Sequence, residues 1–141
     1  MSVPRVRAYP KETVVSEKLQ STVHLGILNS RMKDFFDLYW LCILFPFDGS
    51  VILEAIQATF KRRKTDIPAQ LPLALSDEFS SDPVKQTQWK AFLNKNDIKN
   101  VSKNLPEVIA KLREFLYPPL KAAADREPFS LSWHQGGPWQ H

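Results

Sequence analysis

Apolar residues recur at three- and four-residue spacing along most of the chain, the period of helices with one buried side. In KETVVSEKLQSTVHLGIL, Val14, Val15, Leu19, Thr22 and Leu25 share one face at 100° per residue, and Glu17, Gln20, Ser21 and His24 fall opposite, where solvent is expected. Pro10 precedes this segment, Thr13 or Ser16 can cap it, and Gly26 and Asn29 can stop it, so a first helix is expected over about 11–27. A second is expected over about 31–45, capped by Ser30 and ended by Pro46. Phe47-Asp48-Gly49-Ser50 is a turn whose Asp48 or Ser50 caps a third helix, about 50–63. Residues 65–82 form an ordered loop whose Leu and Phe side chains pack on the helices. Asp82-Pro83 is a strong start signal for a fourth helix, about 83–94. Residues 94–104 are polar. Leu105-Pro106-Glu107 opens a fifth helix, about 106–123, with Pro118-Pro119 kinking or interrupting its end. Trp89, Phe92, Ile109, Leu112 and Leu116 take core positions. No strand period and no internal repeat stand out. The expected class is all-α, a small orthogonal bundle of about five helices. Its expected parts are an extended segment (1–10), a helical domain (11–124) and an irregular tail (125–141) whose Trp133 and Trp139 dock on the bundle rather than stack on a base.

The polar positions complicate this pattern. Lys18 falls in the middle of the apolar face of the first helix. An unpaired ammonium there costs several kcal/mol even after relaxation, so it needs an anion. The second helix supplies candidates. Asp34 shares a side with Leu38, Leu41 and Phe45, and Asp37 follows one turn later. Arg31 precedes Asp34 by three residues and Lys33 precedes Asp37 by four, spacings that allow pairs along the helix. Met32, Phe36, Tyr39 and Ile43 make the opposite side apolar too, so this helix should be packed nearly all round, with its charges in a polar seam. Two readings stand. Lys18 forms a buried salt bridge to Asp34 or Asp37, with Arg31 as a surface partner; or Lys18 and Arg31 hold phosphates in a cleft where an aspartate ligates a metal or takes a proton.

Composition narrows the rest. The chain has 141 residues, 43% apolar and 24% charged, which suits one soluble domain with a real core. No apolar run is long enough to cross a bilayer, and the start has no apolar segment of a secretory signal. Cys42 is the one cysteine, so no internal disulfide forms; a buried, inert thiol in a reducing, cytoplasmic compartment is expected. A net charge of +4 favours anionic partners such as nucleotides or RNA. Lys61-Arg62-Arg63-Lys64 either complements a helix C-terminus or contacts RNA phosphates. His134 and His141 have no Cys or Asp partner spacing that suggests a metal site.

The residues already singled out carry a resemblance. Tyr9-Pro10, Glu17-Lys18-Leu19 and Arg31-Met32-Lys33-Asp34-Phe35-Phe36-Asp37-Leu38 resemble, in residues and separation, the C-terminal part of the AbiEii-type nucleotidyltransferase toxins of type IV toxin–antitoxin and abortive-infection systems. ILEAIQATFKRRKT, DPVKQTQWKAFLNKN, FLYPPL and the closing tryptophan–glycine segment extend the resemblance over essentially the whole chain. It implies a polymerase-β-like enzyme that transfers a nucleotide from an NTP to an acceptor such as RNA, with Mg²⁺ bridging the phosphates. It implies that Lys18 contacts the triphosphate, supported by Arg31, and that Asp34 or Asp37 is required for activity, with Asp34 preferred because it shares a side with Arg31. It also implies an antitoxin, and tRNA or another RNA, as partners.

The chain departs from that pattern in one respect. The family's Gly-Ser turn and Asp-x-Asp pair are not found: Asp48-Gly49-Ser50 looks like a helix-capping turn, and Asp77-Glu78 and Asp82 look like caps. The expectation is therefore a helical part whose sheet-bearing N-terminal half is absent or supplied in trans. Such a chain would bind neither Mg²⁺ nor NTP alone and would be inactive by itself. The alternatives are a non-catalytic binding module for antitoxin or RNA, or an inert gene remnant.

Overall fold

The computed structural model describes residues 10–28 and 30–141. The expected extended segment up to residue 9, with Tyr9 of the Tyr-Pro motif, and the stop at Asn29 lie outside the described residues. The elements are α1 (Lys11–Leu25), α2 (Met32–Leu44), β1 (Phe47–Asp48), α3 (Gly49–Arg62), α4 (Asp77–Ser80), α5 (Pro83–Lys95), α6 (Leu105–Asp125), β2 (Ser132–Trp133) and β3 (Trp139–Gln140), with 3₁₀ turns at Gly26–Leu28 and Leu73–Leu75. The fold is a small all-α bundle with a minimal sheet at one end.

The helix boundaries follow local chemistry. Gly26 ends α1 with φ +55°, and its N–H bonds the Thr22 carbonyl. Asp48 caps α3 through the Ser50 N–H (2.9 Å), and Asp82 caps α5 through Val84 N–H (2.8 Å). Other expected caps do not form. Ser30 gives α2 only its backbone carbonyl, and Ser16 turns inward to bond Thr13 O and the Thr59 hydroxyl (2.7 Å). Packing of α1 on α3 supplies a stronger partner for Ser16 than its own helix end. Residues 65–82 are ordered as expected, and bury Ala74, Leu75 and Phe79.

Two expectations fail for identifiable reasons. Pro118-Pro119 do not interrupt α6; the helix continues through them to Asp125. Pro119 has no N–H for the Phe115 carbonyl, but the Trp139 indole N–H donates to that oxygen at 3.0 Å. The tail, expected to be irregular, carries β2 and β3, which pair antiparallel with each other and with β1 in the order β1-β2-β3. Two-residue strands are too short to leave a period-two signal. Trp133 and Trp139 do dock: their rings lie 4.8 and 5.9 Å from Phe115.

The core runs between α1, α2, α3 and α6, from Val15 and Leu19 through Phe35, Leu38, Ile56 and Phe60 to Leu112 and Phe115. Trp89 and Leu93 extend it toward α5. The second helix is packed nearly all round, as expected: Met32, Phe35, Leu38 and Cys42 are buried, and Phe36, Tyr39, Trp40, Leu41 and Ile43 are partly buried against the same core. Only Lys33 and Leu44 are exposed, and Asp34 and Asp37 lie half-buried in a polar seam at the α1–α2 contact.

Candidate functional site

Lys18 is on α1 and Asp34 and Asp37 on the first two turns of α2; the contact between these helices brings them together. Lys18 Nζ lies 3.3 Å from Asp34 Oδ1 and 3.0 Å from Asp37 Oδ2. The Lys33 ammonium reaches Asp37 Oδ2 from the same helix at 2.8 Å, as the four-residue spacing allows. The side chains of Lys18, Asp34 and Asp37 keep 24%, 17% and 23% of their surface exposed, so the cluster sits in a cleft rather than in the core. Burial alone would lower the Lys18 pKa, but hydrogen bonds and attraction from Asp37, then Asp34, outweigh it, and the net shift is upward from 10.5. Lys18 is a firmly charged ammonium held at a solvent-reachable rim.

Arg31 stands at the entry to α2 and donates from Nη1 to Ser21 Oγ at 3.1 Å. Ser21 is one turn beyond Lys18 on α1. The basic run at the end of α3 faces the same helix. Arg63 Nε donates to Glu17 Oε1 at 2.7 Å, and Arg62 pairs with the other oxygen of that carboxylate. Lys61, Arg62, Arg63 and Lys64 are all exposed. Arg63 closes α3 as its C-cap rather than continuing the buried Ile52–Ile56–Phe60 face.

Three polar residues were misplaced or missed in the sequence. Gln20, expected on the solvent side, is buried, and its amide donates to Thr65 Oγ1 at 2.8 Å. Glu17 and Ser21 read as solvated positions, yet they hold Arg63 and Arg31. The available signal was their spacing: Glu17, Ser21 and His24 recur at four and three residues, which defines a second, polar face of α1 beside Lys18.

Cys42 is fully buried, and burial pushes its thiol up to about 12, against a lowering influence of Lys111. It is inert as a nucleophile. Among the described residues no group of three or more His, Cys, Asp or Glu is placed to hold a metal ion. Asp34 and Asp37 are two carboxylates already engaged by two ammonium groups, so this donor set does not fit Mg²⁺. The sequence does contain one Asp-x-Glu triplet, Asp125-Arg126-Glu127. It closes α6, where Asp125 pairs with Lys121 at 2.9 Å, and is not carried on a strand. Among the described residues no helix is long and apolar enough to cross a membrane.

Comparison with known proteins gives one family match. The model for the nucleotidyl transferase AbiEii toxin, Type IV TA system, matches residues 1–124. No curated protein and no solved structure gives a match to the chain.

Proposed function

Because the chain belongs to the family of nucleotidyl transferase AbiEii toxins of type IV toxin–antitoxin systems, we propose that its bundle is the part of such an enzyme that grips the triphosphate of an NTP. The observation that carries the proposal is the Lys18 ammonium held between Asp34 and Asp37 at the rim of a cleft.

In nucleotidyl transfer, an acceptor hydroxyl oxygen forms a bond to the α-phosphorus and the bond from that phosphorus to the pyrophosphate oxygen breaks. Charge develops on the phosphate oxygens, and a fixed cation there stabilises it. Lys18 supplies that cation. Asp37, itself steadied by Lys33, acts as a positioning residue that keeps the ammonium charged and oriented. Asp34 is the aspartate that also borders the neighbouring groove, which makes it the acid able to touch a ligand. Arg31 supports the phosphates from the α2 entry.

The donor set of Asp34 and Asp37, engaged by Lys18 and Lys33, does not fit the Mg²⁺ that the family implies. Two-metal phosphoryl chemistry calls for further carboxylates, and the 141-residue chain is proposed not to transfer nucleotides by itself. An antitoxin and an RNA acceptor are the partners the family suggests.

The test has two arms. Incubation of the chain with each α-labelled NTP, Mg²⁺ and RNA should leave the RNA unlabelled; robust labelling would refute the incompleteness. In place of the expectation that the chain alone binds no NTP, the cleft is proposed to hold a triphosphate without Mg²⁺, and Lys18→Met should weaken that binding about tenfold, the loss of one charge-assisted phosphate contact. Equal affinity of the variant and the native chain would remove Lys18 from the site.

A further inference from the structure

Two concavities meet at Arg31. The first is a groove of about 600 Å³ between the start of α2 and one side of α5. Met32, Ala91 and half-buried Phe92 give it an apolar floor, and Lys33 and Lys95 stand at its rim. Gln88 also lines it, and the Gln88 side-chain oxygen is buried with no hydrogen-bond partner among the described residues. The second is a polar pocket of about 320 Å³ on the other side of Arg31, lined by Ser21, His24, Arg63 and Thr65. Arg31 lines both.

We propose that the pair is a bipartite site for a nucleotide unit, with the base in the groove and its phosphate in the pocket. The inference deepens the reading above. It rests on that reading for the choice of a nucleotide over other planar phosphate esters.

Each half answers one part of such a ligand. A groove of this volume, apolar with a few polar groups, has the size and character of a small-molecule site. In the pocket, two guanidinium groups, an imidazole and two hydroxyls converge without a lining carboxylate, the donor set that phosphate oxygens require. Glu17 approaches Arg63 from outside that lining and engages Nε, which fixes the guanidinium in place. The charge balance agrees: the rim of the groove carries Arg31, Lys33 and Lys95 against Asp34, which Lys18 already compensates. The nucleotide unit can belong to a free nucleotide or to a single-stranded RNA.

Binding to the native chain is measured with four probes: inorganic phosphate, adenosine, AMP and a short single-stranded RNA. AMP should bind more tightly than phosphate or adenosine. Ala91→Glu in the groove and His24→Glu at the pocket should each weaken AMP about fivefold or more, the lower end of what a stacked base or a phosphate contact contributes. Both residues are exposed, and a thermal melt verifies the fold. Lys95→Glu gives the same groove readout should Ala91→Glu melt early. RNA binding tighter than AMP assigns the site to a strand, and the reverse assigns it to a free nucleotide; both support the proposal. AMP binding no tighter than phosphate, or unchanged AMP affinity in either charge variant, overturns it. The outcome separates from the triphosphate reading. Lys18→Met without effect on triphosphate, beside a positive AMP result, removes Lys18 and leaves the groove; the opposite pattern removes the groove alone.

Discussion

Replacing Lys18 by Met keeps an unbranched side chain only one heavy atom shorter and removes its charge, which largely separates the ion cluster from packing. At an effective dielectric of about 20, two unit charges about 3 Å apart attract by roughly 5 kcal/mol before desolvation is counted. Desolvation of partly buried groups removes most of that, and exposed pairs retain only about 0.2–1 kcal/mol. The three side chains are about a fifth exposed, which places this cluster between the exposed and buried limits. The variant also takes the shared ammonium away from Asp34 and Asp37 and leaves Lys33 on Asp37. A loss of about 1–3 kcal/mol at neutral pH is expected, a sizeable share of a small domain's total of about 5–15 kcal/mol. Urea unfolding of native and variant chains measures it. The pH dependence provides an independent check. The folded-state pKa of Lys18 lies above its ordinary 10.5, so the folded chain holds the proton more tightly than the unfolded one. The stabilisation is fully present below that ordinary value and is lost as pH rises through the higher folded value. The gap between native and variant should therefore stay constant from neutral pH to about 10 and close above it. A gap under about 0.3 kcal/mol at neutral pH, or one that persists undiminished in strong alkali, would refute the argument that Asp34 and Asp37 hold a charged lysine.

Two further outcomes are expected. Trp139→Phe keeps a ring against Phe115 but removes the donor to the Phe115 carbonyl; it should cost about 1–3 kcal/mol in urea unfolding, because an acceptor that Pro119 deprives of its helical donor loses its replacement. Cys42, with its thiol pushed up to about 12 inside the core, should react with a thiol-specific disulfide reagent only after denaturant is added; rapid reaction of the folded chain would contradict its burial.

Much of this fold was legible because the decisive signals are local. Asp82-Pro83, Gly26 and Pro10 act within one turn of themselves, and the structure places boundaries at each. The Lys18 cluster was legible for a different reason. The buried stripe of α1 is Glu12, Val15, Ser16, Leu19, Gln20 and Thr22, so Lys18 stands on its flank rather than in its middle, but a half-buried cation there still needs an anion, and carboxylates one helix away supply it. The side that Asp34 shares with Arg31 favours it over Asp37, but that spacing does not separate the two at the cluster itself, where Lys18 contacts both. What stayed hidden depends on long-range contact. Gln20 finds Thr65 and Glu17 finds Arg63 across 45 and 46 residues, and no helical-wheel argument specifies which helix will face those positions. The groove and pocket around Arg31 were hidden for the same reason, since α5 and the end of α3 contribute walls that the α1–α2 motif does not encode.

The tail and the prolines form one device, although neither announces the other in sequence. The fourth residue after Cys42 is Pro46, and the fourth after Phe115 is Pro119, so each carbonyl loses its helical N–H. A tryptophan indole takes each one: Trp133 donates to Cys42 O at 2.8 Å and Trp139 to Phe115 O at 3.0 Å. Gly136 N–H adds a second bond to Cys42 O, and the Gln135 amide reaches Leu44 O. The family match ends at residue 124, so these donors come from outside the matched segment. They secure the C-terminal end of α2, while Lys18 and the Arg31–Ser21 hydrogen bond secure its beginning. A helix tied at both ends has little freedom to rotate about its axis, and rotation is the motion that would carry Asp34 and Asp37 away from Lys18. The geometry of the cleft therefore depends on residues a full helix length from it.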